Sequence, residues 1–247
     1  MNKEKVIVSV VSYINSTPFV YGLEKEKIDN IVLLKDIPSE CARKLIDNKI
    51  DIGLIPVAMI DKVPNANIIS NYCIAGDGAV ASVLLASNDP IEEINTVYQD
   101  SQSRTSVALA KILMRDYWKK NVAWKDETDS FLFPQKNEAI VIIGDRALKN
   151  QNKYNYVFDL SYFWKKHTGL PFVFACWVAN KKISDDVIGN LNLAFENGIA
   201  SISRFSNGID TEGLITSQDY LTNYIKYHLT DDSKKGMNLF LDLIKSL

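Results

Sequence analysis

The stretch DSQSRTSVALAKILMRDYW, residues 100 to 118, sets Ser101, Ser103, Thr105 and Ser106 around Arg104 and then continues as an apolar-rich helical run. One hydroxyl is enough to cap a helix. The surplus stands where unpaired N–H groups and the positive end of the helix dipole meet, which makes a receiver for an anion such as a carboxylate. Arg104 has two uses open to it: a two-pronged grip on that carboxylate, or a brace for the loop through Asp100.

Other chemistries have little to work with. The 247 residues hold two histidines, His167 and His228, and neither stands in an H-x-x-x-H or H-E pattern. A histidine-rich metal site or a His pair is therefore excluded, and neither metal nor cofactor is expected. Cys41, Cys73 and Cys176 are scattered and odd in number, which reads as three buried thiols in a reducing compartment. A net charge of −2 offers no basic face for nucleic acid or an anionic membrane. The opening MNKEKVIVSVVSYINSTPF lacks the apolar stretch and small-residue site of a secretory signal, and no later run approaches a membrane span. We expect a cytoplasmic protein whose partner is a small molecule.

The elements that must position these groups follow from apolar patterning. KVIVSVVSY reads as a buried strand that opens into a loop, with Asn15, Ser16, Thr17 and Pro18 as a helix start. NIVLLKDIP gives a second strand, SECARKLIDNK a helix capped by Ser39, and IDIGLIPVAMI a third strand. AVASVLLAS, a strand at Thr96 to Gln99, AIVIIGD and LPFVFACWVAN continue the pattern, and the chain after residue 182 reads as helical, His228 included. The β-α-β-α-β rhythm predicts mostly parallel sheets, with ligands collecting at the carboxyl ends of strands. With 47% hydrophobic residues the chain can fill two cores. We expect an α/β fold in which residues 1–85 with 180–247 form a discontinuous first lobe and residues 86–179 an inserted second one. A small molecule would lie in the cleft between them.

The blocks SYINSTPFVYGL, KIDIGLIPVAMI, CIAGDGAVASVLLAS, DSQSRTS, IVIIGDRAL, TGLPFVFACW and the late YLTNYIKYHL together resemble the chorismate dehydratases of the futalosine route to menaquinone. The resemblance runs along nearly the whole chain. It implies a fold like the type II periplasmic binding proteins, and the loss of water from chorismate to give 3-[(1-carboxyvinyl)oxy]benzoate without a cofactor. Motif matched to motif, it also implies that Asn15 and Ser82 carry the catalytic site. Asn15 would position the substrate carboxylate acting as base, and Ser82 would hydrogen-bond the substrate near the departing hydroxyl.

For binding, Ser103, Arg104, Thr105 and Ser106 are expected at one carboxylate of this dicarboxylate, with Ser12 and Thr17 supporting from the opposite lobe. Ile55, Pro56 and Val57 would wall the ring. Gly144 would allow close approach, and Asp145 would orient a donor or the ligand hydroxyl, or else cap the next helix. Trp164, Phe172, Phe174 and Trp177 read as core and cleft lining, and His167 as a surface imidazole.

Three rival readings share the fold, and one of them, a periplasmic solute receptor, is disfavoured by the lack of a secretion signal in the opening residues. In the related 1,4-dihydroxy-6-naphthoate synthases a His-Glu pair stands where this chain has Gly144-Asp145, so the histidine base is missing here. A noncatalytic carboxylate-binding protein would use the same Asn and Ser for plain recognition. Departures from the dehydratase pattern cluster near Ser82, where Ala79, Ala81 and LLAS replace bulkier residues.

Overall fold

The structure, a computed structural model, describes residues 5–100, 103–126 and 133–247; Ser101 lies outside them. Two sheets organise the chain. The first contains β1 (Val6–Val11), β2 (Ile31–Asp36), β3 (Ile52–Pro56) and β4 (Asn67–Gly76). The second contains β5 (Val83–Ser87), β6 (Thr96–Gln99), β7 (Ala123–Asp126), β8 (Glu138–Ile143) and β9 (Tyr156–Asp159). The chain then returns to the first sheet as β10 (Phe172–Ala179) and β11 (Lys226–His228). Strand order is β11-β4-β10-β3-β1-β2 in the first sheet and β7-β6-β8-β5-β9 in the second.

Helices α1 (Thr17–Glu26), α2 (Pro38–Ile46), α3 (Arg104–Asp116), α4 (Gly144–Asn150) and α5 (Leu160–Thr168) connect the strands. Helix α6 (Asp185–Ala200), the short α7 (Ile202–Phe205) and α8 (Ser217–Asp219), and α9 (Asp231–Ile244) complete the chain. The α/β fold with two lobes and a cleft between them is the expected one.

Several local expectations change. The sheets are mixed: β1 runs parallel to β2 and β3, but β10 is antiparallel to both β3 and β4. A strand that re-enters from the second lobe arrives in the reverse direction. Because β5 belongs to the second sheet and β10 to the first, the crossings fall before Val83 and between Thr168 and Phe172, earlier than residues 85 and 180. Gly76 and Phe172 are register partners, so the chain leaves and re-enters the first sheet at one place. Helix α2 starts at Pro38 with Ile37 in the cap position and Ser39 inside the helix, because Pro suits a first helical turn that needs no N–H. His228 closes β11 rather than sitting in a helix.

The first core anchors the segment that carries Asn15. Phe19 of α1 packs edge-on against Trp177 at 5.6 Å, Phe195 at 4.9 Å and Tyr227 at 5.4 Å. Beneath it α1 and α6 touch backbone to backbone. A Cβ on Gly22 would fall 1.8 Å from the Ala194 carbonyl oxygen, and one on Gly198 would fall 1.9 Å from that of Pro18, so only hydrogen fits at either crossing point.

Candidate active site

The cleft is lined from both lobes. The first lobe contributes Tyr13, Asn15, Ser16, Leu54, Pro56 and Phe174, and the second Ser82, Ser103, Thr105, Ser106 and Gly144. Among the described lining residues none is Asp, Glu, His, Lys or Arg. The cleft is thus an apolar slot with hydroxyls and one amide.

Asn15 occupies a 3-10 turn, Ile14–Ser16, between β1 and α1. Its Oδ1 accepts a hydrogen bond from Ser16 Oγ at 3.0 Å, and its carbonyl accepts one from the Tyr227 hydroxyl at 3.1 Å. Ser82 sits just before β5 and is buried; its Oγ accepts from the Tyr220 hydroxyl at 2.7 Å, and its carbonyl from Gly144 N–H at 2.8 Å. Burial pushes the Tyr220 phenol well above its ordinary pKa. The Tyr220 phenol therefore holds one of the two residues expected to carry the chemistry, and the Tyr227 phenol holds the backbone of the other.

Tyr220 opens a π-helical turn, Tyr220–Tyr224, that leads into β11. Sequence reasoning missed Tyr220 and Tyr13, although both lie inside blocks that carry the resemblance. Burial also raises the pKa of Tyr13, and the charge of Asp100 acts in the same direction.

The hydroxyl cluster divides its work. Ser103 is the N-cap of α3: its Oγ accepts from Ser106 N–H at 3.2 Å and donates to Ser106 Oγ at 2.8 Å. Thr105 Oγ1 accepts from Ala58 N–H at 3.2 Å and so joins the lobes. Arg104 is exposed and outside the cleft lining, since capping by Ser103 places it at the outward-facing start of the helix. The buried Asp100 carboxylate pairs instead with Arg146.

Other expected ligand contacts are placed elsewhere. Ser12 Oγ donates to the Asp36 carbonyl at 3.0 Å and ties β1 to β2, and the Thr17 hydroxyl donates to the Ile14 carbonyl. In β3 the pleat turns Leu54 and Pro56 to the cleft and leaves Ile55 in the core behind, with Val57 buried beyond it. Gly144 lines the cleft with φ +60°, and a Cβ there would meet the Tyr13 ring at 3.1 Å. Asp145 faces the other lobe rather than the cleft: its Oδ1 accepts from Ile14 N–H at 3.1 Å, and burial raises its pKa.

Neither histidine lines the cleft. His167 lies 5.8 Å from the Tyr117 ring and His228 5.1 Å from that of Tyr72. All three cysteines are buried, and burial pushes Cys41 to about 12. Among the described residues no group of three or more His, Cys, Asp or Glu could hold a metal ion, and no helix is long and apolar enough to cross a membrane.

Solved structures share this architecture. A protein of Archaeoglobus fulgidus superposes with a TM-score of 0.74 at 13% identity, covering 100% of this chain and 98% of that one. A Candida albicans gene product described as having the generic periplasmic binding protein structural fold gives 0.60 at 12% identity, covering 99% and 91%. The fold is that of the periplasmic binding proteins.

Sequence relatives add to this. A chorismate dehydratase of Thermus thermophilus is 22% identical over 262 residues, covering 96% of this chain and 94% of its own length. One from Campylobacter jejuni is 30% identical over 179 residues, covering 69% and 66%. The profile of the family described as menaquinone biosynthesis matches residues 6–246, and with the two-lobed cleft already in view the chain belongs to that family.

Proposed function

We propose that this protein is a chorismate dehydratase, a hydro-lyase that converts chorismate to 3-[(1-carboxyvinyl)oxy]benzoate and water in menaquinone biosynthesis. The observation that carries the reading is that Asn15 and Ser82, the latter held by the Tyr220 hydroxyl, line one cleft whose described lining has no ionisable carboxyl, imidazole or amine. Such a site suits a reaction in which the substrate brings its own base. The names of the Thermus and Campylobacter relatives support the same activity.

The ring carbon that bears the enolpyruvyl ether loses its proton to the enolpyruvyl carboxylate, held nearby by the Asn15 amide. Proximity replaces a protein base. The electron pair spreads through the adjacent double bond toward the ring carboxylate, the neighbouring C–O bond breaks, and the ring becomes aromatic. Ser103 and Ser106, at the N-terminus of α3, receive a carboxylate and stabilise the charge that develops there. Leu54, Pro56 and Phe174 flank the ring. Three buried thiols suit work in the reducing cytoplasm.

The test is incubation of the purified protein with chorismate and mass spectrometry for a product lighter by one water. Wild type should form the enolpyruvyl benzoate, and Asn15→Ala and Ser82→Ala should lose most of the turnover. Chorismate that binds and returns unchanged would make the cleft a receptor and end the catalytic reading.

A further inference from the structure

We propose that Tyr220 is a positioning residue that turns the Ser82 hydroxyl proton into the cleft, toward the departing hydroxyl of the substrate. The inference rests on the dehydratase reading above. A serine hydroxyl has one proton and two lone pairs. Tyr220 donates to Ser82 Oγ at 2.7 Å, which fills one lone pair and bars the serine proton from that direction.

The rest of Ser82 is fixed from other sides. Its carbonyl is held by Gly144 N–H at 2.8 Å. The residue before it, Ala81, sits in the left-handed region at φ +58°, a conformation that costs a non-glycine residue energy and persists only when its surroundings enforce it. Asp159 enforces it: its Oδ2 accepts from Val80 N–H at 2.8 Å and from Ala81 N–H at 2.7 Å. Among the described residues no protein acceptor takes the Ser82 proton. The open direction is the cleft that Ser82 lines.

The phenol is suited to act as a fixed donor. Tyr220 is 1% exposed and held in the π-helical turn. Burial keeps it protonated, so Tyr220 need not give up its proton. In the elimination the C–O electron pair goes to the hydroxyl oxygen, and the proton taken from carbon by the enolpyruvyl carboxylate completes the water. Ser82 supplies a hydrogen bond to that oxygen while charge builds, strengthened by the bond it accepts from Tyr220, and ends the cycle unchanged.

The experiment measures kcat and KM for chorismate in wild type, Tyr220→Phe, Ser82→Ala and the double variant. Phe fills the same space, and thermal melting checks that it folds. We expect Tyr220→Phe to lower kcat by about fivefold or more with KM changed less than about twofold, and to add less than about twofold to Ser82→Ala. A kcat loss below about fivefold, or an equal loss in the Ser82→Ala background, would overturn the role of Tyr220 while leaving the dehydratase standing. A wild type that forms no product from chorismate would overturn the dehydratase reading, and this inference with it.

Discussion

The backbone N–H of Ala58, in the first lobe, donates to Thr105 Oγ1 in the second at 3.2 Å, across the cleft that separates the two sheets. A threonine that looks like a capping residue is thus a clasp. Replacing it with valine keeps its shape and removes the acceptor, which leaves a half-buried N–H unpaired at a cost of about 1 kcal/mol. Thr105→Val should lower stability by that amount in urea titrations and should weaken chorismate binding several-fold, because the lobes lose one of their links.

Arg104 and Ser106 should separate cleanly. With its guanidinium outside the cleft lining, Arg104→Ala should leave the KM for chorismate within about twofold. Ser106→Ala removes a hydroxyl that faces the cleft and should raise KM by about tenfold, the effect of one lost hydrogen bond to a charged group. Steady-state kinetics on the two variants decides it. An equal effect would mean that the guanidinium reaches the ligand after all.

Gly144→Ala should be costly for two reasons. The left-handed backbone adds about 1–2 kcal/mol, and the new methyl must displace the Tyr13 ring, 3.1 Å away. We expect a stability loss of that size in denaturant titrations, together with weaker ligand binding, since Tyr13 is part of the cleft.

Asp145 makes stability depend on pH. Burial raises its folded pKa above the unfolded value, so between the two the folded state binds more protons and stability falls as pH rises. Below the ordinary carboxylate range this penalty is absent. Asn at this position still accepts from Ile14 N–H but carries no charge. The melting temperature of Asp145→Asn relative to wild type should therefore climb as pH rises out of the ordinary carboxylate range. A flat difference over that rise would show that Asp145 is not the titrating group.

What the sequence made legible was mostly local. The strand at Thr96 to Gln99 follows from its own β-branched and aromatic residues, and the Ser103 cap from hydrogen bonding within one turn. Asn67–Gly76 is a strand that sequence reading missed, because polar residues interrupt its apolar run. The three-residue β11 lay hidden in a helical-looking pattern. In β3 every residue is buried, so no alternation told Leu54 from Ile55, and the cleft-facing side became clear only with β10 in place. The pairing of Tyr220 with Ser82 spans 138 positions; nothing near either residue announces it.

The order of strands in the first sheet also bears on how the protein is born. β3 and β4 follow each other in the chain, yet β10 lies between them. While a ribosome is making the whole second lobe, the facing edges of β3 and β4 have no neighbour, and both strands carry more than one Ile. Unpaired apolar edges are templates for the wrong partner. Until Phe172 to Ala179 emerge, β4 has no strand partner at all and one edge of β3 stays open, so the first sheet can close only after the second lobe has been made.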